Sequence, residues 1–124
     1  MKNEFVPYEL AVKLKELGFD EPCFGWYDGR YIASINQNYC KNSEEWLNTI
    51  HCAAPLYQQA FRWFRDEHGM SGSIQIELDA YQWSIFEEGE DTGLSSDNWE
   101  GTDYEEAELE CLKKLIEIVE SKSE

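Results

Sequence analysis

Side chains able to do covalent chemistry are few in this 124-residue chain, which holds two histidines and four cysteines among 26 acids and 10 bases. His51 and Cys52 could be read as a base and a nucleophile, but sequence neighbours point apart, and a reactive thiolate needs a cationic setting that nothing nearby supplies. His68 precedes Gly69, which suits a helix C-terminus, where a partly charged imidazole meets free carbonyls. The gaps between Cys23, Cys40, Cys52 and Cys111 hold 16, 11 and 58 residues, and none is the close pair that lets two thiolates share a metal ion. The sequence also has no Gly-rich phosphate loop, no Gly-flanked nucleophilic Ser and no His-Glu-x-x-His. It nominates no catalytic, cofactor-binding or metal-binding residue, and the expectation is a protein that is not an enzyme.

Charge is the more informative feature. From Glu87 to Glu110, 11 carboxylates fall within 24 residues that contain no Lys or Arg. Asp103, Glu105, Glu106, Glu108 and Glu110 would place a charge about every 2 Å along a helix, close to the ~1.7 Å axial spacing of phosphates in duplex DNA. Placement weakens the mimicry, because Glu106 and Glu110 share the solvent side with Lys113, Lys114 and Glu117, and Glu108 points toward the edge of the apolar arc. Glu110 with Lys114 and Lys113 with Glu117 are spaced as ordinary i,i+4 pairs, and acids in a first helical turn suit the macrodipole. The plain reading is a solvated face. The sharper one is a surface for a protein partner, built from Asp97, Trp99, Glu100, Asp103, Glu106 and Glu110, with Trp99 either folded back or serving as an aromatic anchor. Asp97, Asn98, Glu100 and Asp103 do not follow a calcium-loop pattern. Arg62 and Arg65 either pair with acids of the same molecule or dock an acidic or phosphorylated partner.

These residues need a scaffold, and the hydrophobic pattern supplies one. Pro7 suits a first helical position, and Leu10, Ala11, Leu14 and Leu17 recur at helical spacing before Gly18, predicting a helix over about 7–17. Asp28-Gly29 joins two aromatic and β-branched runs as a hairpin that sets Trp26 against Tyr31 and Phe24 against Ala33 on a core face, with Tyr27 on the other. Residues 36–54 read as a long loop, with a short helical turn at Ser43 to Thr49. Pro55 opens a second helix with Leu56, Tyr57, Ala60, Trp63 and Phe64 on one arc and Gln58, Gln59, Arg62, Arg65 and Asp66 on the other. Ile74, Ile76 and Leu78 alternate ahead of Tyr81, Trp83 and Ile85, a second hairpin turning near Asp79-Ala80. Residues 87–101 read as a surface loop. Thr102 with Glu105 forms a capping box for a last helix, about 103–121, striped by Tyr104, Ala107, Cys111, Leu112, Leu115, Ile118 and Val119.

The expected fold is a single α+β domain over residues 1–124. It is a two-layer sandwich whose antiparallel four-stranded sheet comes from two β-hairpins, with three helices in the order αββαββα. Hydrophobic residues at 42% and aromatics at 15% exclude a disordered chain. Net charge is −16, and residues 71–124 carry 16 acids against 3 bases, which disfavours direct binding to nucleic acid or a membrane surface. Without an export signal or membrane span, the expected compartment is the cytoplasm, where thiols stay reduced. A second copy of the chain is a candidate to cover the wetter sheet face, which includes Tyr27 and Phe86.

Three strings, FVPYELAVKLKELGFDEPC at 5–23, LYQQAFRWFR at 56–65 and YEEAELECLKKLIEIVE at 104–120, resemble small uncharacterised proteins of gut Bacteroidales genomes, prophages and phages. The resemblance implies a phage-related, mobile-element setting and transfers no activity or ligand to any position. Together these features lead to an interaction module that binds a protein partner, for which a basic protein is the candidate, through an acidic surface. The alternatives are an acidic DNA mimic that inhibits a host defence, and a small enzyme whose pocket would gather His51, Cys52 and a carboxylate.

Overall fold

Three helices and six strands make up the described part of the computed structural model, which covers residues 5–28, 31–40, 42, 51–77, 80–95 and 103–122. In chain order they are α1 (Tyr8–Glu16), β1 (Cys23–Asp28), β2 (Tyr31–Cys40), β3 (His51–Ala54), α2 (Tyr57–His68), β4 (Met70–Glu77), β5 (Ala80–Glu87), β6 (Glu90–Ser95) and α3 (Tyr104–Lys122). The protein is α+β, and the three helices and two hairpins stand where the sequence puts them. A single four-stranded sheet is not what they form. Each hairpin gains a third strand, giving two antiparallel sheets of order β2-β1-β3 and β4-β5-β6. β1 and β5 are thereby paired on both sides and offer no edge to the other hairpin. The chain divides into two compact units, Met1–Ala60 and Phe61–Glu124, with the division inside α2.

In the first unit, Pro7 serves as the N-cap of α1, and the helix buries Leu10, Ala11 and Leu14. It closes as a Schellman motif. Gly18 takes φ 101°, its N–H donates to the Lys15 carbonyl at 3.1 Å, and Phe19 N–H donates to the Leu14 carbonyl at 2.9 Å. In the β1–β2 hairpin Asp28 pairs with Tyr31, Tyr27 with Ile32 and Trp26 with Ser34, so the expected Trp26–Tyr31 register is not adopted. The inward face changes with it. Cys23, Gly25 and Tyr27 are buried, and Trp26 is only half-buried. Alternation along a strand makes this an all-or-none choice. Tyr27 can occupy the interior because its hydroxyl donates to the Val6 carbonyl at 2.5 Å and its ring meets Tyr8 edge-on at 5.6 Å. A second copy of the chain is therefore not needed to cover Tyr27.

The region read as a long loop is partly sheet: β2 continues to Cys40, and β3 pairs Ala54, Ala53 and Cys52 with Gly25, Trp26 and Tyr27. Polar residues on the edge strand β2 disguised its continuation. The helical turn expected at Ser43 to Thr49 and the turn residue Gly29 lie outside the described residues. Helix α2 begins two residues after Pro55, whose carbonyl accepts from Val6 N–H at 2.8 Å.

In the second unit, the buried residues of α2 are Trp63 and Phe64, and Gly69, at φ 67°, turns the chain directly into β4. The β4–β5 ladder is regular, pairing Ile76 with Tyr81, Ile74 with Trp83 and Gly72 with Ile85. Ala80 pairs with Glu77, so the turn lies one residue earlier than Asp79-Ala80, and residues 78 and 79 are outside the described set. The expected surface loop at 87–101 contains β6. Glu88 at φ 52° and Gly89 at φ 85° both occupy the left-handed region that a type I′ turn requires, and Glu87 pairs with Glu90 across it. Carboxylates on an edge strand hid its identity, since edges tolerate charge.

Helix α3 buries Ala107, Cys111, Leu112, Leu115, Ile116 and Val119, while Tyr104, expected in the stripe, is exposed. Its approach to β4 depends on Gly72. A Cβ there would lie 2.7 Å from Cys111 Sγ and 3.0 Å from Phe61 Cε1, closer than real side chains pack.

Candidate interaction surface

The acidic face starts at the cap of α3. Asp103, not Thr102, is the capping residue: its Oδ1 accepts from Glu106 N–H at 2.8 Å, and its carbonyl accepts from Ala107 N–H at 3.1 Å. Thr102 lies outside the described residues, as do Asp97, Trp99 and Glu100. Asp103, Glu105, Glu106 and Glu110 are all exposed, whereas Glu108 is buried in the apolar stripe. Lys114 Nζ meets Glu117 Oε2 at 3.5 Å, an i,i+3 pair in place of the i,i+4 pair expected with Glu110. Lys122 pairs with Glu87 of β5, linking the end of α3 to the sheet of the same unit.

The sequence reading missed an apolar ledge beside these acids. Ile76 is 64% exposed at the end of β4, although its alternation with Ile74 marks it for the interior. Across the ladder it pairs with Tyr81, whose ring meets Tyr104 edge-on at 5.4 Å, and Tyr104 is itself 44% exposed. Burial foremost, with help from the Glu108 charge and its hydrogen bond, holds the Tyr104 phenol above its ordinary range. The residue types were visible in the sequence. What was not visible is that Tyr104, at the first position of the helix, meets Tyr81 edge-on and stays exposed together with Ile76.

Arg62 and Arg65 stand exposed on the outer side of α2, as its periodicity requires. Arg65 Nε lies 4.0 Å from Asp66 Oδ1 of its own helix, and both side chains are more than half exposed, so the pair adds little stability. His68 occupies the last turn of α2, where its ring packs against Trp63 at 4.9 Å and Phe64 at 5.8 Å between centroids.

Cys52 is buried on β3, and burial pushes its thiol up to about 11 despite the opposing charge of Lys15. Burial likewise lifts Cys111 to about 12, so both sulfurs are protonated at neutral pH and are poor nucleophiles. Tyr27 is raised to about 12, by burial first and then by the charges of Cys52 and Glu9. Among the described residues no group of three or more His, Cys, Asp or Glu is placed to hold a metal ion, and no helix is long and apolar enough to cross a membrane. No protein-family model, curated protein or solved structure compared with the chain matches it.

Proposed function

We propose that the protein is a non-enzymatic interaction module that binds a basic protein partner through the acidic first half of α3 and the ledge beside it. The observation that carries this reading is that exposed Glu105, Glu106 and Glu110 follow exposed Tyr104 on one helix, and the Tyr104 ring meets Tyr81, the ladder partner of exposed Ile76. Carboxylates steer an oppositely charged partner over a Debye length, and apolar groups hold it once it has docked. A phage or mobile-element accessory role, as the three strings imply, is the setting proposed for it.

The DNA-mimic reading is less well supported, because the burial of Glu108 takes one charge out of the row of five. The deciding experiment is affinity capture from bacterial lysate, followed by binding kinetics with the purified partner. The association rate should fall steeply as salt rises past the point where the Debye length is about 8–10 Å. Replacing Glu105, Glu106 and Glu110 together by Gln should slow association about tenfold or more. Salt-indifferent association, unchanged by the triple replacement, rules the reading out. Competition by duplex DNA for the same partner would favour the mimic.

A further inference from the structure

The two edges of the β4-β5-β6 sheet are built differently. β6 is guarded: it is short and acidic, its ladder with β5 is irregular between Ser84 and Phe86, and Gly93 takes φ 80°. Its Leu94 N–H donates to Thr92 Oγ1 at 3.1 Å, and that hydroxyl donates to the Ile85 carbonyl at 2.7 Å. Short length, charge and irregularity are devices by which proteins keep an edge from pairing with other chains. β4 has none of them. It runs for 8 residues, Met70–Glu77, in an unbroken ladder, with no Pro or Lys and its single acid at the last position.

The register tells which groups the β4 edge offers. Glu88 N–H donates to the Gly69 carbonyl at 2.7 Å, which makes Gly69 opposite Glu88 a hydrogen-bonding position and Met70 opposite Glu87 the non-bonding one beside it. Alternation then turns the backbone of Ser71, Ser73 and Gln75 toward β5, and the N–H and C=O groups of Gly72, Ile74 and Ile76 outward. Among the described residues no strand pairs with that outer side. Gly72 lies against Cys111 of α3, so Ile74 and Ile76 share the face of the sheet turned to α3. Ile76 is exposed there, and its ladder partner Tyr81 meets Tyr104 at the start of α3.

We propose that β4 is a strand-addition site, at which an extended basic segment of the partner pairs with the backbone of Gly72, Ile74 and Ile76 and sets apolar side chains beside Ile74 and Ile76. This rests on the basic-partner reading above and adds the mode of capture. Main-chain hydrogen bonds supply the affinity of such an added strand, and its alternate side chains supply the specificity. Charge selects the occupant. From Asp66 to Leu112, a stretch that holds the whole sheet and the first half of α3, the sequence has no Lys or Arg. A second copy pairing edge to edge would bring two such acidic stretches to strand spacing, about 4.8 Å, and set them in repulsion. A cationic segment meets no like charge on the sheet and is drawn to it.

The test uses the full chain and the probe peptide Lys-Val-Lys-Val-Lys, capped at both ends, with amide hydrogen exchange read residue by residue. With the peptide at about ten times its Kd, exchange at Gly72, Ile74 and Ile76 should slow about tenfold, because only the unbound fraction leaves these amides open. A twin N-methylated at every residue keeps the charge and loses the donors, and a twin with Glu in place of Lys keeps the donors and reverses the charge. Neither twin should protect the three amides. Strand addition is overturned, with the acidic-surface reading left intact, if the Lys peptide binds in a salt-dependent manner without protecting Ile74 and Ile76, or if the N-methylated twin protects them equally. Absence of binding at millimolar peptide overturns it as well. Equal protection by the Glu twin overturns the choice of a basic occupant and, with it, the reading above. Protection that grows with protein concentration in the absence of peptide puts a second copy on the edge and overturns the proposal.

Discussion

In Met1–Ala60 the central strand, β1, comes first in sequence, and the chain returns to it as β3 only after a long excursion from Cys40 to His51. In Phe61–Glu124 the three strands run as a meander with β5 in the centre, joined by two-residue connections at 78–79 and 88–89. The first arrangement leaves returning segments to be fixed by side chains. The Asn42 amide donates to the Phe19 carbonyl at 2.8 Å and accepts from Ala53 N–H at 2.8 Å. Gln59 does the same at the start of α2, accepting from Leu56 N–H at 3.0 Å and donating to the Pro22 carbonyl at 2.8 Å. The second unit relies on close apolar packing, in which Gly72 admits Cys111 and Phe61 against the sheet. Long connections lose more entropy on closure and need directional pins, whereas tight turns fix register by themselves.

The largest expected effect tests the packed unit. Gly72→Ala should cost about 2–3 kcal/mol in chemical denaturation, because the added methyl overlaps Cys111 Sγ. Removing that sulfur in Gly72→Ala/Cys111→Ala should recover at least half of the loss, and additive costs in the double variant would show that the overlap is not the cause. Next comes the pinned unit. Asn42→Ala deprives the Phe19 carbonyl and the Ala53 N–H of their partner, for about 1–2 kcal/mol. Hydrogen exchange should quicken at Ala53, and unaltered exchange there would dissolve the contrast between the units. The smallest effect concerns the α3 cap, where Asp103→Ala should cost about 1 kcal/mol in thermal or chemical unfolding and Asp103→Asn close to nothing. Equal losses in both variants would place the effect in charge and not in the capping bond.

Much of the architecture was legible before any coordinates. The apolar spacing of Leu10, Ala11 and Leu14, of Tyr57, Ala60 and Phe64, and of Ala107, Cys111 and Leu115 located the three helices, because burial of one stripe is a local property of the sequence. β3 and β6 were not legible, since His51–Ala54 is too short to show alternation and Glu90–Ser95 is acidic and polar. Of the candidate surface, the charges at Asp103, Glu106 and Glu110 could be read directly, but the ledge could not. Ile76 and Tyr104 carry the same periodic signal as buried neighbours, yet both stay exposed, and periodicity alone does not tell the ends of a stripe from its middle.

By itself, the sequence determined three amphipathic helices, two hairpins and a strongly acidic second half, each set by residues close to one another along the chain. Tertiary structure decided what depends on distant partners. The Val6 carbonyl lets Tyr27 rather than Trp26 turn inward, β3 and β6 occupy the edges that a four-stranded sheet would have used, and Cys23 comes to stand opposite Cys40. The physical reason is that periodicity reports which faces are apolar, whereas register and edge pairing depend on hydrogen-bond partners supplied by residues far away in sequence.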